Sequence, residues 1–247
     1  IWYASYLLGR RPEVQPMSFA LGGQPNPKEY GMTLADGALL IFLACVGIAQ
    51  QAHETTPMMA QLMGVSLILY GTIRGLDKPW QGGIWTGLGL GVVILSGNLI
   101  MAALLAIGTA SAVAASNARL RFRWSITSIA LGFIGLIFWP LLWLYFDLSA
   151  AQQANALEGW LNWPLMQAYP SYKSLSFLSI NFWLYAWPVW PLALIALVHW
   201  VRQKKAGSWR APHICIPLGI ALGGLLYNLF RTEANDHDLI ILIPPLS

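Results

Sequence analysis

Hydrophobic positions run along this chain in long stretches rather than in the alternation of a half-buried strand. Leu39 to Ile48, Met58 to Tyr70, Ile84 to Ala115, Trp124 to Phe146, Asn181 to Val201 and Ile214 to Phe230 contain no Asp, Glu, Lys or Arg. A helix that is apolar all round belongs inside a large core or inside a bilayer. About 20 such residues are needed to cross roughly 30 Å of hydrocarbon. The pattern predicts an all-α polytopic transmembrane bundle forming a single domain, with spans near 1–9, 36–52, 58–73, 82–96, 98–115, 124–146, 181–201, 213–230 and 239–247.

Several of these spans are short, which predicts helices that end inside a protein-lined cavity. The run from Ile84 to Ala115 is too long for one helix, and Ser96-Gly97-Asn98 is its natural break. Gly83, Gly87 and Gly91 recur every four residues and form a face where backbones can approach closely. Gly87-x-Gly89 is not a nucleotide fingerprint, since no strand precedes it and its surroundings are apolar. Residues 12–35 hold four prolines and three glycines and read as a loop. In the outer loop 147–180, Leu157, Trp160, Leu161 and Pro164 suggest a short interfacial helix. Trp187-Pro188 and Trp190-Pro191 mark a kinked span with an aromatic belt. The chain opens in what reads as the tail of one span and stops as another begins, as expected of a fragment of a longer protein.

Composition agrees with a membrane setting. Only 10% of residues are charged and the mean hydropathy is +0.56, against roughly 25% charged in an average soluble domain. Cys45 and Cys215 both fall in apolar runs and read as small buried hydrophobes. The net charge of +4 would suggest nucleic acid in a soluble protein, but here the basic residues cluster between apolar runs. With Arg10-Arg11 in the cytoplasm, alternating spans place every basic residue on that side except Lys173 and Arg231, as the positive-inside rule asks. Glu54, Asp147, Glu158, Glu233, Asp236 and Asp238 collect on the outer side. The expected partners are therefore membrane lipid and no nucleic acid, with polar chemistry on the outer face.

Two polar stretches interrupt the apolar pattern there: His53-Glu54-Thr55-Thr56-Pro57, and Arg231 through Asp238. His53 and Glu54 read either as a ligand pair or as solvated loop. Pro57 stands where a zinc-protease helix would continue, so that motif fails. His53, Glu54, His237 and Asp238 form a candidate set for a divalent metal such as Zn²⁺ or Mn²⁺. His53, Glu54, Arg231 and Asp236 are candidate substrate contacts. Arg231 at a span end suits a lipid phosphate gripped by two hydrogen bonds; its plainer roles are pairing with Glu233 or snorkelling to headgroups.

Met32 to Asn98 carries a short span, a polar turn, a span ending in Leu69-Tyr70-Gly71, a charged turn, and Trp85-Thr86-Gly87-Leu88-Gly89-Leu90-Gly91 before a kink. That arrangement resembles membrane glycosyltransferases of the GT-C superfamily, in the branch of aminoarabinose transferase and the protein O-mannosyltransferases. Phe182 to Pro191 and Arg231 to Leu246 resemble the same branch. The resemblance implies a bacterial inner-membrane enzyme that moves a sugar from a polyprenyl-phosphate donor to a lipid or protein acceptor on the periplasmic face. It places the catalytic acid in a loop preceding Ile1, so no catalytic residue is assigned. The rival expectation is a polytopic transporter or a flippase for lipid-linked sugars, and a third is a non-catalytic assembly subunit.

Overall fold

The computed structural model describes residues 1–16, 23, 25–96, 98–116, 125–147, 149–166, 172–202, 210–231 and 236–247. Among these there is no strand. The helices are α1 (Trp2–Gly9), α2 (Pro27–Leu43), α3 (Val46–Gln51), α4 (Pro57–Gly75), α5 (Pro79–Leu95), α6 (Leu99–Ala115), α7 (Ser125–Asp147), α8 (Ala150–Met166), α9 (Tyr172–Tyr185), α10 (Val189–Arg202), α11 (Pro212–Leu229) and α12 (Asp236–Leu239). A 3-10 turn (Ile240–Leu242) and α13 (Ile243–Leu246) close the chain. Among the described residues α2, α4, α5, α11 and α13 have proline in the first turn, where its missing N–H has no helical partner to lose. Asn26 and Asn98 cap α2 and α6 by accepting from the N–H of Lys28 and Met101, each at 3.1 Å.

Small residues set the packing. α4 and α5 form an antiparallel hairpin so close that a Cβ added to Gly82 would lie 2.2 Å from the backbone nitrogen of Gly75. On the other side of α5, a Cβ on Gly87 would lie 2.1 Å from the Ile129 carbonyl of α7. α5 is thus clamped between two neighbours: Gly87 and Gly91 both face α7, as their four-residue spacing predicts, while Gly82 and Gly89 face α4. Gly108 of α6 meets Gly219 of α11 in the same way. Val65, Ile68, Ile73, Val93, Met101, Leu105, Ile216 and Ile220 fill the centre.

Among the described residues two helices are long and apolar enough to cross a membrane. Ile129–Phe146 of α7 has a mean hydropathy of 2.1 and only 12% of its residues buried; Pro212–Leu229 has 1.4 and 50%. A third span results if α9 and α10, bent by 94°, count as one broken helix. The expected count of nine is therefore reached by length in two or three cases. Three boundaries differ outright. The run 36–52 is two helices, because Asn26-Pro27 starts α2 early and Cys45 is extended, with the Val46 N–H donating to the Trp187 carbonyl at 3.1 Å. The run 181–201 is the bent pair, since Pro188 offers no N–H to continue the ladder. Within the run 239–247, Leu239 to Ile243 fold into a buried turn against α4 and α11. The break at Ser96 to Asn98 and the helix over Leu157 to Pro164 both appear.

The bundle has two distinct ends. Arg10 and Arg11 reach Asp77, in the α4–α5 turn, at 3.8 and 3.0 Å, so those charges share one end. Because α4 and α5, and α6 and α11, run antiparallel, the start of α4, the Ser96–Asn98 break and the close of α11 meet at the other. Arg119, Arg121, Arg123, Lys204, Lys205, Gly97 and Glu233 lie outside the described residues, as do the side chains of Trp160, Leu161, Pro164, Asp236 and His237.

Candidate functional site

At the end opposite Asp77, four helices converge on a chain of polar side chains. Asn98, already capping α6 through its oxygen, donates through its amide nitrogen to the Tyr227 hydroxyl. One turn further along, Arg231 Nη1 donates to the same hydroxyl at 3.1 Å and to both oxygens of Asp238 at 2.5 Å. The guanidinium carbon sits 5.8 Å from the centre of the Tyr227 ring. Ser174, at the start of α9, donates to the Arg231 carbonyl. Asn228 donates to the carbonyls of Gly224 and Asp238 at 2.9 and 3.2 Å, which ties α12 to α11.

Burial decides what this arrangement can do. The Asp238 side chain is 1% exposed and that of Arg231 is 20% exposed. A carboxylate so enclosed needs a cation, while the arginine retains a path to the surface. The result is a guanidinium held by a buried carboxylate and by a phenol that also accepts from the Asn98 amide, at the mouth of an apolar bundle. Two neighbouring acceptors, Gln61 Oε1 and Asn228 Oδ1, are buried without a hydrogen-bond donor. Neither amide can simply be turned round: the Asn228 nitrogen serves two carbonyls, and the Gln61 nitrogen faces the Ser96 carbonyl at 3.5 Å.

The two polar stretches do approach. α12 packs on α3, whose last residue precedes His53 by two positions. His53 and Glu54 are exposed, however, and among the described residues neither side chain makes a hydrogen bond or ion pair. Arg231 pairs with Asp238; Glu233, the partner considered from sequence, lies outside the described residues. Both Asp238 oxygens face the guanidinium, whose charge opposes a second cation there, so Asp238 as it stands does not fit a metal ligand. Among the described residues no group of three or more His, Cys, Asp or Glu is placed to hold a metal. Tyr227, Asn228 and Ser174 were not singled out from sequence, and Asn98 only as part of a helix break. The four-residue spacing of Tyr227 and Arg231 on one helix face was the available signal. No known protein family, curated protein or solved structure matches the chain.

Proposed function

We propose that this chain belongs to a polytopic bacterial inner-membrane glycosyltransferase that takes a sugar from a polyprenyl-phosphate donor on its periplasmic face. The membrane setting is supported by α7, whose apolar residues are mostly uncovered and suit lipid better than water. The single observation that carries the site is Arg231, a cation fixed by Asp238 and Tyr227 at the polar end of an apolar bundle. In transfer, the bond between the anomeric carbon and the phosphate oxygen breaks, and polyprenyl phosphate leaves with the electron pair. The acceptor oxygen bonds the anomeric carbon, and its proton passes to a base not assigned among these residues.

Arg231 then stabilises the negative charge growing on the leaving phosphate, in a dry setting where such a contact is strong. His53, Glu54 and Asp236 are further donor contacts in this reading, and a divalent metal held with His237 is an additional element of it.

Transport is the second reading, favoured by the 94° break between α9 and α10, which resembles the discontinuous helices of transporters. Binding of a short-chain polyprenyl phosphate to the purified full-length protein separates the role of Arg231 from its packing. Arg231→Lys keeps the charge beside Asp238 but loses the planar fork, so affinity should fall by about tenfold. Unchanged affinity in a folded Arg231→Lys protein removes Arg231 from the donor site.

A further inference from the structure

The end of the bundle remote from Arg231 contains a cavity of about 250 Å³ between α4, α5, α6 and α7. Thr72, Leu76, Thr86, Leu90, Thr109 and Val113 are among its walls. The three threonine hydroxyls bond carbonyls of their own helices, those of Ile68, Gly82 and Leu105, at 2.7, 3.0 and 2.7 Å. The lining is thus apolar in effect. Along α5 it runs from Gly82 to Leu90, eight residues or about 12 Å at 1.5 Å each. A slot that is long, narrow and apolar matches an extended hydrocarbon chain rather than a polar solute.

Its turn-side end adjoins Gly75 and Leu76, directly between Arg74 and Lys78. Asp77, the acid in that turn, already serves Arg10 and Arg11. Arg74 contacts the neutral Gln81 at 3.4 Å and Lys78 is exposed, so this rim is net positive. Trp80 and Trp85, 53% and 41% exposed, flank it as headgroup-level aromatics. We infer that the cavity holds one acyl chain of an anionic membrane phospholipid, whose phosphate rests against Arg74 and Lys78. This rests on the membrane placement and not on sugar transfer. The occupant is a structural or regulatory lipid, remote from the site at Arg231.

The test uses the full-length protein in vesicles containing phosphatidylglycerol with a photoreactive group in its acyl chain, with crosslinks mapped by peptide mass spectrometry. Labelling is expected on α5 and α6 at residues such as Leu90, Thr109 and Val113. Ala110→Phe, at an exposed wall position, blocks the slot and should reduce that labelling by about tenfold. Arg74→Gln and Lys78→Gln leave the walls intact and should each reduce phosphatidylglycerol labelling by about fivefold, with little effect on a phosphatidylcholine probe. Labelling only on outward faces such as Leu131 and Phe138 overturns the inference. So does a folded Ala110→Phe protein labelled like the wild type, or an isoprenoid recovered from the slot in place of phospholipid.

Discussion

Removing either partner of the Arg231–Asp238 pair should have unequal consequences, because the two side chains differ in exposure. Arg231→Met takes the guanidinium away from a carboxylate that is 1% exposed. Breaking a buried pair in this way costs about 3–5 kcal/mol. Asp238→Asn instead leaves a guanidinium whose side chain is 20% exposed and lies over the Tyr227 ring. That cation can extend toward headgroups or water, and Asn still offers an acceptor, so the loss should be about 1–2 kcal/mol. The double variant removes both charges and should be more stable than Arg231→Met alone, giving a strong favourable coupling in a double-mutant cycle. Denaturant titration of the three proteins in detergent micelles reads all the terms. Equal losses for the two single variants, or a double variant equal to their sum, would refute the asymmetry and with it the enclosed geometry of Asp238.

Other consequences can be checked with single substitutions. Gly87→Ala should lower stability by about 1–3 kcal/mol, since its Cβ would meet the Ile129 carbonyl. Gly135→Ala, where nothing lies within 4 Å, should raise it by about 0.5–1 kcal/mol; thermal unfolding compares the two. Asn98→Ala loses both the α6 cap and the contact with Tyr227 and should cost about 1–2 kcal/mol by the same measurement. With cysteines placed at Lys78 and Glu54, a membrane-impermeant thiol reagent should label them from opposite sides; labelling from one side contradicts the two-ended arrangement.

Much of the helical architecture is legible from local chemistry. Pro57, Pro79 and Pro212 start helices, and Asn98, polar within an apolar run, both ends one helix and caps the next. What sequence pattern misses is set by tertiary contact. The apolar runs 36–52 and 181–201 look continuous because hydropathy does not record direction, yet the first breaks where Val46 bonds Trp187 and the second bends at Pro188. Residues 239–247 read as a span since they are apolar, but here apolarity reflects burial against α4 and α11. At the site, Arg231 stands out as a charge at a helix end. Asp238 lies seven residues on and Asn98 over a hundred residues away, so only the folded chain joins them.

The most direct test follows labelled sugar. Sealed right-side-out vesicles carrying the full-length protein would receive a radiolabelled polyprenyl-phosphate sugar together with candidate lipid and protein acceptors, with Arg231→Lys vesicles alongside. Sugar transfer predicts label leaving the polyprenyl carrier and appearing covalently on an acceptor at the outer face, slowed at least tenfold by Arg231→Lys. Label that crosses the bilayer while still attached to its carrier would contradict transfer and establish transport.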